Sequence, residues 1–219
     1  MQKPSVLFIN RVYPPYKGAT GRVLRDLAHA FARDGWSVTV LTTGAEEVVQ
    51  MDGPVTVRRV PIKAGGKPNV RHFQVWAKLL WAGLKLPKHR MVVTLTDPPM
   101  LVVAGRLISK WKGSSHIHWC QDLYPDIMPA LGMNLPQWAM ALLRGAARKA
   151  MRSCDKVVVV GRCMARHLAY TGFDMAKVSV IPNWPDFELT AAAKNRPAKS
   201  AQQASSVKAV LKGRDILKS

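Results

Sequence analysis

Val6-Leu7-Phe8-Ile9-Asn10, Gly18-Ala19-Thr20-Gly21 and Trp36-Ser37-Val38-Thr39-Val40-Leu41-Thr42 set the fold of this chain. The first run is short and apolar and ends at Tyr13-Pro14-Pro15, which reads as a strand followed by a breaker. After the glycine loop, Val23, Leu24, Leu27, Ala30 and Phe31 recur at helical spacing, and Gly35 stops the helix. The third run is the next strand. A helix that opens directly after a glycine loop presents free backbone N–H groups and a positive dipole end, which suit a phosphate. Gly18, Thr20, Gly21 and Arg22 are therefore candidate phosphate- or substrate-binding residues. A second reading gives the two glycines only a tight turn and close helix–strand packing. A dinucleotide fingerprint would need G-x-G-x-x-G and an acidic residue ending the second strand. The loop and the strand end Thr42-Thr43-Gly44 meet neither condition, which argues against NAD. Arg22 follows Gly21 without the spacing of a nucleoside-triphosphate P-loop.

Further along, the pattern repeats. Val55 to Val60 alternates like a strand with one wet face, and a helix is expected from about Val70 to Leu86. Met91 to Leu95 reads as a buried strand ended by Thr96-Asp97-Pro98-Pro99, and an apolar helix then leads to Lys112-Gly113. His116 to Gln121 is a strand, and Pro136 suits the first turn of a helix running to about Arg152. Lys156 to Val160 is a buried strand, a helix follows to Tyr170, and Val178 to Ile181 is the last strand. Strands alternating with helices predict an α/β fold with one Rossmann-like, doubly wound parallel sheet. Ligands of such sheets sit at the carboxyl ends of the strands. That rule gathers Tyr13 to Gly21, Thr96 to Pro99, Gln121 to Asp126 and Gly161-Arg162 on one rim, and adds Asp97 and His118 to the substrate-binding candidates.

The 219 residues suffice for one sizeable α/β core, and a hydrophobic fraction of 48% supports it. Lys and Arg number 33 against 13 Asp and Glu, a net charge of +20 that favours anionic partners: a lipid surface, phosphorylated substrates or nucleic acid. Three cysteines without a C-x-x-C pair fit a reduced, cytoplasmic setting. The amino terminus runs straight into a strand, so no secretory signal is expected, and no apolar run is long enough to span a bilayer. After residue 189 the composition turns to Ala, Ser, Gln, Lys and Asn, and residues 190–219 read as a disordered, low-complexity basic tail.

Three constellations remain. His116, His118, Cys120 and Asp122 stand two apart and share one strand face, which resembles a metal set by residue type. Adjacent same-face residues seldom converge on one ion, so no metal site is expected. Trp76 and Trp81 with Lys78 on the 70–86 helix have the pattern of interfacial membrane docking, though the same helix also reads as core-facing with solvated lysines. Arg144, Arg148 and Arg152 at i, i+4, i+8 form a basic stripe suited to an anionic leaflet or a polyprenyl-diphosphate acceptor, or simply to solvent. No helix-turn-helix, zinc-finger or RNA-binding signature accompanies these charges, so no specific nucleic-acid partner is expected.

Residues 4 to 189 resemble the N-terminal, acceptor-side half of a GT-B glycosyltransferase of the family-4-like (group 1) kind. The segments that carry the likeness are Tyr13 to Arg22, Leu27 to Thr42, Gln121-Asp122-Leu123-Tyr124-Pro125-Asp126 and Val180-Ile181-Pro182-Asn183-Trp184, in that order. The Asp-Leu-Tyr-Pro stretch is similar to the subgroup that builds O-antigen or exopolysaccharide repeat units. The resemblance implies retaining transfer of a hexose from a nucleotide-sugar, with that donor as a substrate and no cofactor. It implies Gly18 and Gly21 facing the donor phosphates, Asp122 as the rim acid at the catalytic position, and Asn183 as a structural linker residue. A lipid-linked or saccharide acceptor is expected, and the basic stripe with the net charge of +20 points to work at the inner face of the membrane. The family's second, donor-binding domain is expected to be absent after Trp184, so the chain reads as inactive alone, completed by a separate donor-domain subunit. The alternative is a truncated, non-catalytic relic or a module that binds anionic lipid or polyanions.

Overall fold

A computed structural model describes residues 3–16, 18–62, 68–133 and 135–184; the expected basic tail at 190–219 lies outside them. Eight strands form one sheet: β1 (Ser5–Ile9), β2 (Ser37–Gly44), β3 (Val48–Asp52), β4 (Val55–Pro61), β5 (Met91–Thr94), β6 (Ser115–Cys120), β7 (Lys156–Val159) and β8 (Val178–Val180). Their order is β3-β4-β2-β1-β5-β6-β7-β8. Every pairing is parallel except β3 with β4. From β1 the chain winds outward to β2 and β4 on one side and to β5 through β8 on the other. The reversal between β1 and β5 is a topological switch point, where open α/β sheets place their ligands.

Five helices cover the sheet: α1 (Ala19–Arg33), α2 (Pro68–Lys85), α3 (Leu101–Lys112), α4 (Gln137–Arg152) and α5 (Arg162–Tyr170). Strand alternation decides which residues meet which helix. Val6 and Phe8 of β1 and Val38 and Val40 of β2 face α1, where Leu24, Leu27 and Phe31 are fully buried. Phe31 meets Phe8 and Trp36 edge to face, with ring centroids 5.5 and 5.3 Å apart, the geometry aromatic pairs prefer. Leu7, Ile9 and Val92 point the other way, against Val75 and Leu79 of α2 and Ile108 of α3. Val157 and Val159 continue that layer under α4 and α5, with Met151 and Leu168. Among the described residues no helix is long and apolar enough to cross a membrane.

The structure departs from the sequence reading at three points. The sheet is mixed, because Val48–Asp52 adds an antiparallel edge strand. Its hairpin closes through Gly53, whose φ of +57° is a left-handed conformation that glycine adopts without strain. β4 keeps the expected alternation, with Thr56 and Arg58 on its wetter face, but Arg59 falls on the buried face with Val55 and Val57 and is only 5% exposed. Pro136 stands at the cap of α4 rather than inside its first turn, with ψ at 148°.

Candidate functional site

Asn10 and Arg11 follow β1, and Thr96 and Asp97 follow β5, so these two pairs flank the switch point. Arg11 ties the two loops together. Its backbone N–H donates to the Asp97 carbonyl at 2.7 Å, and its Nε donates to Asp97 Oδ1 at 2.7 Å. Asn10 is completely buried; its Nδ2 donates to the Val12 carbonyl at 2.8 Å and to Thr20 Oγ1 at 3.2 Å, which fixes the start of α1. Asn10 Oδ1 has no partner among the described residues.

On the next strand, Gln121 and Asp122 follow β6. Gln121 Nε2 donates to Asn183 Oδ1 at 3.4 Å, while Gln121 Oε1 and the neighbouring Thr96 Oγ1 lack partners among the described residues. Burial, then the negative charge of Asp97, hold the Asp122 carboxyl above its ordinary range. Tyr124 is raised by burial, then by the negative charges of Asp122 and Asp97. The Tyr124 N–H donates to the Asp122 carbonyl at 3.2 Å, which keeps this loop folded back on the strand end.

Beside the switch point lies a cavity of about 370 Å³, lined by Arg11, Tyr16, Thr43, Ile62, Arg71 and Val75. Its wall is the Tyr13–Tyr16 loop, clamped from two sides. Inside, Arg59 donates to the carbonyls of Tyr13, Pro14 and Thr43 and lies over the Tyr16 ring, 5.3 Å from its centroid. Outside, Asp52 accepts from the Tyr13 hydroxyl at 2.8 Å and from Arg25 Nε and Nη2 at 2.8 and 2.9 Å, and pairs with His29 at 3.1 Å. The Arg25 hydrogen bonds hold the Asp52 carboxyl well below the usual carboxylate range. Charge-assisted contacts are the strong ones, and here they tie the loop to β3 through the Tyr13 hydroxyl and to β4 through Arg59.

The expected site residues separate into groups. Asp97, Asp122 and the Gly18–Thr20 turn do stand at the rim. Gly18 and Gly21 also have a packing reason: a Cβ on either would come within 2.8 Å of Val12, at its side chain and its carbonyl oxygen respectively. Arg22 turns aside, its Nη2 donating to the Trp184 carbonyl at 3.5 Å. Trp184 in turn packs on Trp119 and donates its Nε1 to Asp26 at 2.8 Å. His118 lies beneath the rim, 3% exposed, its Nδ1 3.1 Å from both the hydroxyl and the carbonyl of Thr94. Burial lowers it to about 4, so it is neutral near pH 7. Trp76 is part-buried and donates to the Met100 carbonyl at 3.0 Å, whereas Trp81 is 63% exposed. Lys78 donates to the Pro61 carbonyl at 2.6 Å. Arg144 pairs with Asp126 at 2.7 Å and, with Arg148, lines a separate cleft of about 220 Å³ between α4 and α5. Arg152 is exposed at the far end of α4. Tyr16 belongs to the Tyr13–Gly21 stretch expected at the rim, whereas Arg11, Arg59 and Arg71 were not foreseen. For Arg11 a signal existed: it follows the first strand directly, at the place where the rim rule puts ligands.

A family model for the glycosyl transferase 4-like domain matches residues 18–184. No curated protein matches the chain in sequence. Among solved structures, sucrose-phosphate synthase from Thermosynechococcus elongatus superposes with a TM-score of 0.62 at 14% identity, over 90% of this chain and 54% of that one. The catalytic domain of starch synthase IV from Arabidopsis thaliana, bound to ADP and acarbose, gives 0.57 at 14% identity, over 85% and 53%. HepE from Anabaena, in complex with UDP-glucose, gives 0.53 at 17% identity, over 94% and 50%. The chain spans about half the length of these structures. Its sheet has the GT-B glycosyltransferase fold, and the match across residues 18–184 makes the chain a member of the glycosyl transferase 4-like family.

Proposed function

We propose that this domain holds the acceptor for retaining transfer of a sugar from a nucleotide-sugar, in the synthesis of a cell-surface polysaccharide at the inner face of the membrane. The observation that carries the reading is the set of unpartnered polar atoms at the ends of three adjacent strands: Asn10 Oδ1, Thr96 Oγ1 and Gln121 Oε1. Buried polar groups are almost always paired, and two of these three are pure acceptors. A sugar hydroxyl supplies the donor they lack; a phosphate oxygen does not. Phosphate groups belong instead beside Arg11 and Arg71 in the 370 Å³ cavity, or at the N–H groups opening α1. UDP-glucose on HepE and ADP on the starch synthase fit the same donor class.

In this reading Asp122 contacts the reacting sugar. Its raised affinity for a proton suits a carboxylate that accepts a hydrogen bond from a hydroxyl and steadies charge as the glycosidic bond forms. Arg11 pairs with Asp97 and holds the two rim loops in register. A donor-binding domain closing over the rim completes the site and excludes water. The test pairs the chain with a donor-binding half and follows transfer from labelled nucleotide-sugar. Asp122→Asn is expected to cut transfer by about 100-fold or more while leaving the melting temperature unchanged. Full activity in that variant removes Asp122 from the chemistry.

A further inference from the structure

Helices α2, α3 and α4 lie side by side over one face of the sheet. Trp76 of α2 donates to the Met100 carbonyl at the start of α3, and Gly83 lets Ile108 pack closely, 2.5 Å from where a Cβ would stand. Arg106 of α3 donates to the Lys149 carbonyl of α4 at 2.6 Å. The outer side of this layer is unlike the rest of the surface. Phe73, Trp81, Trp111 and Trp138 are 68, 63, 77 and 69% exposed, with Leu107 and Leu142 exposed beside them. The three helices together hold ten Lys and Arg and no Asp or Glu. Lys85 lies over the Trp81 ring, 5.1 Å from its centroid.

We infer that this α2–α3–α4 face docks on an anionic bilayer. Four large rings on the outside of a folded domain are a standing cost in water, and aromatic side chains prefer the headgroup boundary of a bilayer. The three helices supply ten cations and no carboxylate of their own; apart from Arg144, which pairs with Asp126, these charges match an anionic leaflet, and lysine stems reach past apolar surface to present their charge. A second copy of the chain is a poor occupant, because it would set ten cations against ten. Nucleic acid meets the charge but gives Leu107 and Leu142 nothing apolar to enter. The face also reaches the candidate site: Arg71, which lines the 370 Å³ cavity with Arg11, stands between Val70 and Phe73 on α2. A headgroup-borne acceptor at this surface is one helical turn from that cavity. The docking face borders the candidate site at Arg71, and its test reads vesicle binding, which can hold or fail separately from sugar transfer.

The test uses the full 219-residue chain and vesicles of phosphatidylcholine, alone or with about one third phosphatidylglycerol. Binding is expected only to the anionic vesicles. Brominated acyl chains are expected to quench tryptophan emission of the unaltered protein, a readout that needs no variant. Trp81→Ser/Trp111→Ser/Trp138→Ser, with circular dichroism unchanged, is expected to weaken binding at least 10-fold. Four results overturn the proposal: equal binding to both vesicles, undiminished binding by the triple variant without quenching, displacement by duplex DNA at equal charge, or concentration-dependent dimerisation lost in the triple variant. The second result assigns the attraction to the basic residues of 190–219.

Discussion

Thr94 and Thr96 stand two residues apart where β5 ends, and their surroundings are opposite. Thr94 Oγ1 sits 3.0 Å from His116 Nε2 and 3.1 Å from His118 Nδ1, and His116 Nδ1 lies 3.4 Å from Cys154 Sγ. That cluster is sealed beneath α3 so tightly that a Cβ on Gly105 would lie 2.3 Å from the His116 ring. Thr96 Oγ1, one alternation further, has no partner among the described residues, nor has Gln121 Oε1 across the sheet from it. Two residues therefore separate a finished polar network from an unfinished one. Within β5 and β6, Thr94, His116 and His118 satisfy one another where nothing else reaches them, although Trp119 Nε1 of β6 has no partner among the described residues. Where the strands end, polar groups can wait for a ligand.

If the comparison is right, its two sides respond differently to the same substitution. Thr94→Val keeps the shape and removes the hub, leaving His116 Nε2 without its partner while His118 Nδ1 keeps the Thr94 carbonyl at 3.1 Å. An orphaned buried group costs about 1–3 kcal/mol, so the variant is expected to lose about that much in urea unfolding. A loss below 1 kcal/mol breaks the claim that this network is finished.

The same cluster sets a pH dependence. Burial, with His118 adding, lowers His116 to about 3, and burial lowers His118 to about 4, from an ordinary value of 6.5. In the folded protein both rings stay neutral while the unfolded chain takes up protons, so stability falls as pH drops below 6.5. The slope is about 1.4 kcal/mol per pH unit for each fully linked group, and His72 and His89, also lowered by burial, act in the same direction. Asp52, whose carboxyl is held low, adds stability that is constant above its unfolded value of 3.8 and is lost only below it, outside this window. Unfolding midpoints measured from pH 7.5 to 5 are expected to decline, and His118→Gln to flatten the decline. An unchanged slope in that variant takes His118 out of the account.

The contrast also explains what the sequence could and could not show. Val6 to Ile9 and Val157 to Val159 were legible because a strand buried on both faces reads as an unbroken apolar run. Val48–Asp52 was not, since Val48, Val49 and Met51 are exposed and the pattern has no buried side; Asp52-Gly53 was the available hairpin signal. Arg59 sits where a cation reads as solvent-facing, and only the fold shows the three carbonyls that receive it. Asp122 and Asp97 followed from the rule that strand ends carry ligands. His118 was drawn in by the same rule, applied two residues too early: it is still within β6, and alternation turns it under α3 with His116.

The smallest expected effect is the most discriminating. Thr96→Val and Gln121→Met each delete a polar group with no partner at the oxygen concerned; Gln121 loses in addition only the long 3.4 Å contact to Asn183. Removing an unpaired buried polar atom relieves a desolvation penalty instead of breaking a bond, so stability should shift by no more than about 0.5 kcal/mol in either direction. Thr96→Val is the same chemical change as Thr94→Val, which makes the two a matched pair on one strand. A loss of several kcal/mol for Thr96→Val would mean its hydroxyl is bonded after all, and the rim would be ordinary core. If stability holds while transfer in the reconstituted pair falls, the missing partner at Thr96 and Gln121 is the sugar.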